Sequence, residues 1–443
     1  MEITKMILVF IGFIMFFLLL NKLEKSETLN SELIRKILHI GSGFGGLALP
    51  FIFEKKSSVM ILGVIFLVIL ISIRLIKNRI TGFRKVLETK NRKTFGDIYF
   101  IISILGLWIV SNENKIIYSL PLIILMFSDA FAALIGEFYS KYKFDTGFGT
   151  KSIEGSVTFF LTTYFICINF FLFFSNIKSI NIVLVSLLLS ILAMILEMIS
   201  WNGLDNIFVP LFVYLFLQLN LYLTAKELMY KLWVIVMLLI IIILNRKKTT
   251  LTKIAQTASL FFLYIVMIIG GIKWVVPPLI MYLGYYHFTP KVRGQVKDSL
   301  KGLLTIAFTT SMWLAMSIIL DKNKMYLIYI FTFSLHFGII NLIRDNAGNV
   351  KRETFRMNFL MESIGKAFVF FIINYLALSK MLDFKMLIGI IIFIFGGIFI
   401  YETSMKFFYI IEKEKELSGE SKVFIASGIV FICSMLLLGI GML

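Results

Sequence analysis

The segment from Ser128 to Glu137 places one carboxylate, Asp129, inside a stretch that otherwise has the hydropathy of a membrane span. A charged side chain within the bilayer is costly, so an intramembrane acid marks a functional site by default. Gly136 belongs to a small-residue face of the same predicted helix, and Lys151 follows in a polar, glycine-containing loop. This combination suits a phosphate-bearing ligand that is held at the membrane surface.

Phosphoryl transfer needs a divalent metal held by carboxylates, and cations that balance the charge of the transferring group. Asp129 could hold the metal and Lys151 could contact phosphates. Ser152, Glu154 and Gly155 begin the next predicted span, where backbone N–H groups can bind phosphate. The alternative is structural, because small residues pack helices, Lys151 fits the positive-inside bias, and Ser152 with Glu154 begins a helix.

A second polar group, Arg35, Lys36 and His39, lies within about one helical turn where the second predicted span begins. Arg35 and His39 share one face of that helix. Together the three residues could bind phosphates or lipid head groups. The alternative is that Arg35 and Lys36 are an ordinary positive-inside signal and that His39 only makes a local hydrogen bond.

A third polar group follows the seventh predicted span. Glu197 lies inside an apolar run, and Asp205 and Asn206 come after a short polar turn. Glu197 and Asp205 are candidates for a second metal ligand and for a base that acts on a lipid hydroxyl. Alternatively, Asp205 caps the eighth span. Two isolated histidines, His287 and His336, are typical of packing residues.

The composition is that of a polytopic membrane protein. Hydrophobic residues make up 59% of the 443 residues, and the mean hydropathy is +0.92. The recurring apolar stretches predict an all-α transmembrane helical bundle of roughly 14–16 spans. The spans are placed near residues 5–20, 38–53, 57–76, 97–111, 116–138, 153–174, 179–199, 207–223, 228–245, 255–270, 273–289, 301–320, 325–343, 363–379, 385–402 and 422–442.

The net charge of +18 resides mostly in short loops, which is typical of the positive-inside rule and not of nucleic-acid binding. The most basic loop, residues 77–93, follows the third span and is assigned to the cytoplasm. Counting spans from this loop places the three polar groups on the cytoplasmic face of what we expect to be a bacterial-type cytoplasmic membrane. Cys167 and Cys433 lie in apolar stretches and predict neither a disulfide framework nor a metal cluster.

The two halves of the chain differ in their polar residues. Residues 1–224 are predicted to form one membrane domain that contains all three polar groups. Residues 225–443 are predicted to form a second polytopic membrane domain of uncertain function. This half has similar hydropathy but fewer intramembrane acids, and its clearest polar insert runs from Arg344 to Asn349.

The polar groups of the first half resemble the family of dolichol and phytol kinases, integral membrane proteins that are related to phosphatidate cytidylyltransferases. The resemblance covers about residues 30–220, and the pieces stand in the family's order. Ser140 departs from the pattern, since the family often has glycine there. The departure affects the expectation of a tight turn at this position and not the expected chemistry. The pieces are Arg35-Lys36-x-x-His39, Thr94-Phe95-Gly96-Asp97, Asp129-Ala130-x-Ala132-Ala133-x-x-Gly136, Lys151-Ser152-x-Glu154-Gly155-Ser156, and Glu197 with Asp205-Asn206-x-x-Val209-Pro210.

The resemblance implies CTP as the phosphoryl donor and Mg²⁺ or Mn²⁺ as the metal. It implies a membrane isoprenoid (phytol-, dolichol- or polyprenol-like) or another lipid alcohol as the acceptor. On this interpretation Asp129 and Glu197 hold the metal, and the catalytic residues are Asp129, Lys151, Glu197 and Asp205. The residues expected to bind the nucleotide are Arg35, Lys36, His39, Gly136, Ser152, Glu154, Gly155 and Asn206.

The second half resembles faintly the phytyl-phosphate kinase family, through a Gly270-Gly271-x-x-Trp274 element. A fused pair of such domains would phosphorylate an alcohol twice, first to the monophosphate and then to the diphosphate. An accessory role and an unrelated role remain open for this half.

Two other functions stand beside the kinase hypothesis. A cytidylyltransferase would use the same CTP site to make a CDP-lipid from a lipid phosphate, and would release pyrophosphate. A secondary transporter would also have many spans and intramembrane acids. Its acids are expected midway across the membrane, whereas those of this chain cluster near one face.

Overall fold

A computed structural model of the chain describes residues 2–25, 29–75, 95–111, 114–146, 149–246, 249–288, 299–347, 357–376, 384–411 and 417–440. The basic loop 77–93 and Thr94 of the motif lie outside the described residues. Gly348 and Asn349 of the polar insert and the side chain of His287 also lie outside them.

The described part of the chain folds into sixteen helices and one short hairpin, so the predicted all-α polytopic bundle is confirmed. Two strands, β1 (Lys143–Asp145) and β2 (Thr150–Ser152), precede the sixth helix. In chain order the helices are α1 (Glu2–Lys25), α2 (Ser31–Ile52), α3 (Lys56–Leu75), α4 (Gly96–Val110), α5 (Lys115–Phe138), α6 (Ile153–Phe174), α7 (Ser179–Ile199), α8 (Asp205–Asn220), α9 (Ala225–Asn245), α10 (Lys253–Gly270), α11 (Ile272–Phe288), α12 (Leu300–Met316), α13 (Lys322–Ala347), α14 (Met357–Leu376), α15 (Phe384–Ile411) and α16 (Gly419–Gly439).

Eleven of the described helices are long and apolar enough to cross a bilayer, which makes the chain an integral membrane protein. These are α1, α3, α5, α6, α7, α9, α10, α13, α14, α15 and α16. The apolar helices α4, α8, α11 and α12 are shorter. A helix of about 17 residues rises only about 26 Å, less than the hydrocarbon core of about 30 Å. Helix α2 carries Glu32, Arg35 and Lys36 in its first turns, which lowers its apolar character.

The chain divides into two compact units, Met1–Trp233 and Val234–Leu443, with the division inside α9. We call them unit 1 and unit 2. The functional assignment of residues 1–224 and 225–443 to separate domains stays a prediction.

Unit 1 is organised around α5, which packs against α2, α6 and α8. Helix α2 has a glycine where α5 carries a large side chain: a Cβ on Gly43 would come within 2.5 Å of Met126 Sδ. The Tyr118 hydroxyl of α5 donates to the carbonyl oxygen of Gly46 at 2.8 Å. Because the missing side chain at Gly43 lets the two helices approach closely, polar residues on α2 can reach α5.

The polar loop that follows α5 is an antiparallel hairpin, which the sequence did not predict. Phe144 of β1 pairs with Lys151 of β2, and Thr146 closes the turn by donating its N–H to the Gly149 carbonyl oxygen at 2.9 Å. Strands of three residues are too short to give a periodic hydrophobic signal. The hairpin holds Lys151 directly before α6.

Unit 2 is organised around α13, which packs against α11, α12, α14, α15 and α16. His336 lies on this helix and is fully buried. Its Nδ1 is 2.9 Å from the carbonyl oxygen of Thr332, and its Nε2 is 3.0 Å from Ser427 Oγ. Both ring nitrogens have partners, in agreement with the packing role predicted for this histidine.

Candidate active site

Unit 1 contains a polar cavity of about 350 Å³, where α2, α6 and α8 begin and where α5 and α7 end. The three polar groups of the sequence, which are far apart in the chain, all contribute to its wall. The charged wall residues are the acids Glu32, Asp129, Glu137, Glu197 and Asp205 and the bases Arg35, Lys36, Lys143 and Lys151.

Asp129 of α5 is paired with Lys36 of α2. Lys36 Nζ donates to Asp129 Oδ2 at 2.5 Å, and Lys36 is only 3% exposed. His39 Nε2 is 3.6 Å from the same carboxylate oxygen and 3.2 Å from the Leu125 carbonyl oxygen, to which it can donate. Removing one member of a buried ion pair leaves an uncompensated charge. Lys36 is therefore the counter-charge that lets an acid lie inside the helical bundle.

Lys151 and Glu197 form a second, partly buried pair, between β2 and the last turn of α7. Lys151 Nζ donates to Glu197 Oε1 at 2.6 Å and also to the main-chain carbonyl oxygen of Glu197. Carbonyl oxygens at the end of a helix carry partial negative charge, so the ammonium compensates both groups. The two pairs together present two carboxylates and two ammonium groups to one cavity.

Arg35 is held at the cavity wall by a residue of its own helix. Its Nη2 donates to Glu32 Oε1 at 2.5 Å and its Nε donates to Glu32 Oε2 at 3.0 Å. This two-point contact fixes the plane of the guanidinium. Arg35 also lines a neighbouring apolar cavity, so it stands where the two cavities meet.

The loop between α7 and α8 packs tightly against the start of α4. Asn202 and Gly203 have φ values of 52° and 85°, and a Cβ on Gly203 would come within 2.7 Å of Gly96 Cα. Asn206 Nδ2 donates to the Gly96 carbonyl oxygen at 2.7 Å. Only glycine fits the Gly203 position without strain. These contacts hold Asp205, the first residue of α8, at the cavity wall.

Helices α5 and α6 meet almost backbone to backbone beside the cavity. A Cβ on Gly155 would come within 2.8 Å of the Ala132 carbonyl oxygen, and a Cβ on Gly136 within 2.8 Å of Ser152 Oγ. Ser152 Oγ accepts the N–H of Gly155 at 3.1 Å and so caps α6. The three predicted residues Gly136, Ser152 and Gly155 thus line the cavity and also shape it. The N-terminus of α6 that they place there favours an anion.

Two residues predicted to bind nucleotide do not line the polar cavity. The Glu154 carboxylate accepts the N–H of Lys141 at 2.9 Å and that of Tyr142 at 3.1 Å. It therefore fastens the start of the hairpin to α6, a structural role. His39 lines the neighbouring apolar cavity. Both residues are close in sequence to residues that line the cavity, so sequence spacing alone could not show which of these side chains face it.

An ion pair to which the sequence gave no role joins the end of α3 to the start of α4. Arg74 Nη2 donates to Asp97 Oδ1 at 2.5 Å, and the guanidinium lies 4.9 Å from the centre of the Phe95 ring. A signal was present, because Asp97 begins an apolar span and belongs to the family motif. Its partner could not be recognised among the many cations around loop 77–93.

The carboxylates of the cavity fit a metal that arrives with a substrate. Within the described ranges, no group of three or more His, Cys, Asp or Glu side chains is placed to hold a metal ion alone. Mg²⁺ is commonly held by one or two carboxylates together with substrate phosphates and water. Asp129, Glu197 and Asp205 line one cavity and supply oxygen donors of this kind.

The chain is similar to a curated phytol kinase from Synechocystis sp., with 27% identity over 201 residues. The aligned region covers 44% of this chain and 80% of that protein. No protein-family model and no solved structure matches the chain. The similarity supports a distant relationship to the phytol and dolichol kinases, the family that the motifs resemble.

Proposed function

We propose that this protein is a CTP-dependent lipid-alcohol kinase, which transfers the γ-phosphoryl group of CTP to an isoprenoid or another lipid alcohol at the cytoplasmic face of the membrane. The observation that carries the proposal is the polar cavity of unit 1, where the pairs Lys36–Asp129 and Lys151–Glu197 share one wall. The similarity to a phytol kinase supports the same class of reaction.

The two ion pairs suit a ligand that brings both signs of charge. When a nucleoside triphosphate binds with its divalent cation, each ion pair can separate, so that the lysines contact phosphate oxygens and the carboxylates contact the metal. No buried charge is then left without a partner, which is the condition for such an exchange to be tolerated. Arg35 adds a planar fork of donors of the kind that binds phosphate.

Asp129, Glu197 and Asp205 are the residues that would hold Mg²⁺ or Mn²⁺. When bound, the metal supplies neutralisation of charge on the phosphate oxygens. The acceptor oxygen attacks the γ-phosphorus, the bond from the γ-phosphorus to the β–γ bridging oxygen breaks, and CDP leaves. Glu197 or Asp205 accepts the proton of the acceptor hydroxyl.

The proposed orientation rests on the basic loop 77–93. This loop joins the end of α3 to the start of α4, and Gly96, the first residue of α4, lines the polar cavity. Cytoplasmic loops carry the excess of Lys and Arg. The cavity is therefore assigned to the cytoplasmic side of a bacterial-type cytoplasmic membrane.

The test is phosphoryl transfer by the purified protein in lipid with Mg²⁺, supplied with γ-labelled CTP or ATP and a panel of prenols and diacylglycerol. Label moving from CTP to one lipid alcohol is the expected result, and Asp129→Asn should abolish it. Pyrophosphate release on addition of a lipid phosphate, without CDP, would instead indicate a cytidylyltransferase. No turnover of either nucleotide with any lipid would overturn the kinase and favour transport.

A further inference from the structure

The apolar cavity beside the polar cavity lies between α1, α2, α3 and α4, and we call it the chamber. We propose that the chamber holds the hydrocarbon chain of the acceptor alcohol, and that Gly12 and Gly45 set the length of chain it accepts. The proposal rests on the proposed function, since the chamber shares wall residues with the cavity assigned to CTP. It adds a binding site and two specificity-determining positions to that assignment.

The chamber has a volume of about 390 Å³ and its wall is mostly apolar. Phe13, Phe16 and Phe66 contribute aromatic rings, and Leu49 and Ile104 contribute aliphatic side chains. Volumes of this size are typical of sites for small apolar ligands. An apolar wall binds a hydrocarbon chain by removing its surface from water or by replacing contacts with the bilayer.

The chamber and the polar cavity share three wall residues, Arg35, Gly96 and Asn206. A ligand with an apolar chain and a polar end therefore fits across the junction, with its chain among α1–α4 and its end beside the Lys36–Asp129 pair. The polar residues that the two cavities share favour a lipid alcohol over a wholly apolar occupant, because a purely hydrocarbon ligand would leave them without a polar partner.

Asp97 supplies a hydrogen-bond acceptor at the polar end of the chamber. It lines the chamber, and its Oδ1 accepts from Arg74 at 2.5 Å. Its Oδ2 is buried and accepts no hydrogen bond from the part of the chain that the structure describes. A buried acceptor without a donor is costly. The hydroxyl of an alcohol can supply the donor when the alcohol first binds at the junction, and in the reaction its proton passes to Glu197 or Asp205.

Two glycines of the chamber wall face open space. An added Cβ on Gly12 of α1 or Gly45 of α2 meets no atom within 4 Å. In contrast, a Cβ on Gly46 would come within 2.8 Å of Ile104. Because both glycines line the chamber and their Cβ positions are open, we expect larger side chains there to project into the chamber without colliding with its wall.

Gly45 lies about 15 Å along α2 from Arg35, given the rise of 1.5 Å per residue, and the chamber extends to Ile52, about 25 Å from Arg35. A short prenol that binds at the junction ends before Gly45. A long prenol passes it. A side chain introduced at Gly45 is thus expected to exclude long chains and spare short ones.

The experiment measures kcat/KM of Gly45→Leu and Gly12→Leu for geraniol, farnesol, geranylgeraniol and phytol, with CTP and Mg²⁺. Gly106→Leu is the matched control, because Gly106 lies on α4 outside the chamber wall and its added Cβ also meets no atom within 4 Å. We expect each chamber variant to lose at least about tenfold with the long alcohols, equivalent to about 1.4 kcal/mol, with geraniol unchanged. Gly106→Leu should keep the wild-type dependence on chain length.

A second measurement separates this proposal from the kinase assignment. A photoactivatable farnesol is cross-linked to the wild-type protein and to the variants, and the labelled peptides are identified. Labels on α1–α4 that disappear in Gly45→Leu and persist in Gly106→Leu support the chamber even if no alcohol is phosphorylated. Turnover with an unchanged chain-length profile and labels elsewhere would overturn the chamber alone and would indicate that membrane lipid fills it. Thermal unfolding of each variant confirms that the protein remains folded.

Discussion

The two units of this protein contain cavities of similar size whose walls differ in charge. The polar cavity of unit 1, about 350 Å³, is lined by carboxylates that face lysines and an arginine. The cavity of unit 2, about 410 Å³, has a mostly apolar wall on which Arg344 and Glu420 are the charged residues in the part that the structure describes. Glu420 is paired with Lys301 at 3.1 Å, and both side chains are 44% exposed.

Among the described residues, the buried charges of the two units differ in sign: unit 2 buries two cations, Arg344 and Lys422, whereas unit 1 buries a cation and an acid, Lys36 and Glu197. Unit 2 also buries neutral groups that link helices: Thr332 Oγ1 of α13 and Ser434 Oγ of α16 lie 3.0 Å apart. Neutral groups of this kind join helices at little cost within a membrane. In unit 1, Lys36 and Glu197 are buried charges whose desolvation is expensive. Buried charges of opposite sign around a cavity are therefore the better indication of chemistry.

The largest effect is expected from Asp129→Asn, which removes a metal ligand and the partner of Lys36. We expect phosphoryl transfer to fall by about 1,000-fold, whereas Glu420→Gln in unit 2 should change it by less than about twofold. The measurement is transfer of label from γ-labelled CTP by each purified variant in lipid.

Loss of stability could mimic this result, because Asp129→Asn leaves Lys36 buried without a counter-charge at a cost of about 3–5 kcal/mol. The double variant Lys36→Met with Asp129→Asn removes both charges. It should recover thermal stability relative to Asp129→Asn and stay inactive. Recovery of activity together with stability would show that the pair serves folding and not catalysis.

The next effect concerns the second ion pair. Lys151→Met should lower kcat/KM for CTP by about 100-fold, because it removes a cation from the phosphates and leaves Glu197 buried without its partner. Lys143→Met is the matched control, since Lys143 also lines the cavity from the hairpin but is exposed. It should cost less than about tenfold. Equal losses would mean that only the summed charge of the cavity matters.

Much of the fold could be predicted from composition, because apolar stretches of span length dictate helices. The residues of the polar cavity were largely predictable too, since an acid such as Asp129 or Glu197 is conspicuous in an apolar run. Their partners were not. Lys36 and Asp129 are 93 positions apart, and their contact depends on the close approach of α2 and α5 at Gly43.

Glu154 and His39, whose nucleotide-binding roles stay predictions, lie outside the wall of the polar cavity for a common physical reason. Glu154 follows two cavity residues in the chain, but the hairpin turns its carboxylate to the N–H groups of Lys141 and Tyr142. The hairpin had no sequence signal. His39 shares a helical face with Arg35, as predicted, but that face borders the apolar chamber. The direction in which a side chain points within a packed bundle depends on neighbouring helices that a single sequence does not reveal.

A smaller effect on stability is expected to distinguish glycines whose Cβ position is occupied by neighbouring atoms from glycines whose Cβ position is empty. Gly155→Ala places a Cβ within 2.8 Å of a backbone oxygen of α5, so α5 and α6 must separate. We expect a loss of about 1–3 kcal/mol in stability and a lower kcat, because Lys151 and Ser152 move with α6. Gly365→Ala in unit 2 meets no atom within 4 Å and should stabilise its helix by about 0.5–1 kcal/mol. Thermal unfolding in detergent checks both, and equal destabilisation would contradict the contrast.

The smallest effect comes from a matched pair of buried hydroxyls. Thr163 Oγ1 donates to Ser128 Oγ at 2.9 Å, next to Asp129, and Thr332 Oγ1 contacts Ser434 Oγ at 3.0 Å in unit 2. Ser128→Ala and Ser434→Ala should each lower the free energy of unfolding by about 1 kcal/mol.

Only Ser128→Ala should also lower kcat/KM for CTP, by a few-fold, because its hydroxyl fixes α5 against α6 beside Asp129. Equal stability costs with unequal effects on turnover would assign the chemistry to unit 1 by an argument that does not depend on charge. A matching loss of turnover in Ser434→Ala would mean that unit 2 contributes to the reaction. The cavities of the two units would then differ in the charge of their walls, although both units would be needed for activity.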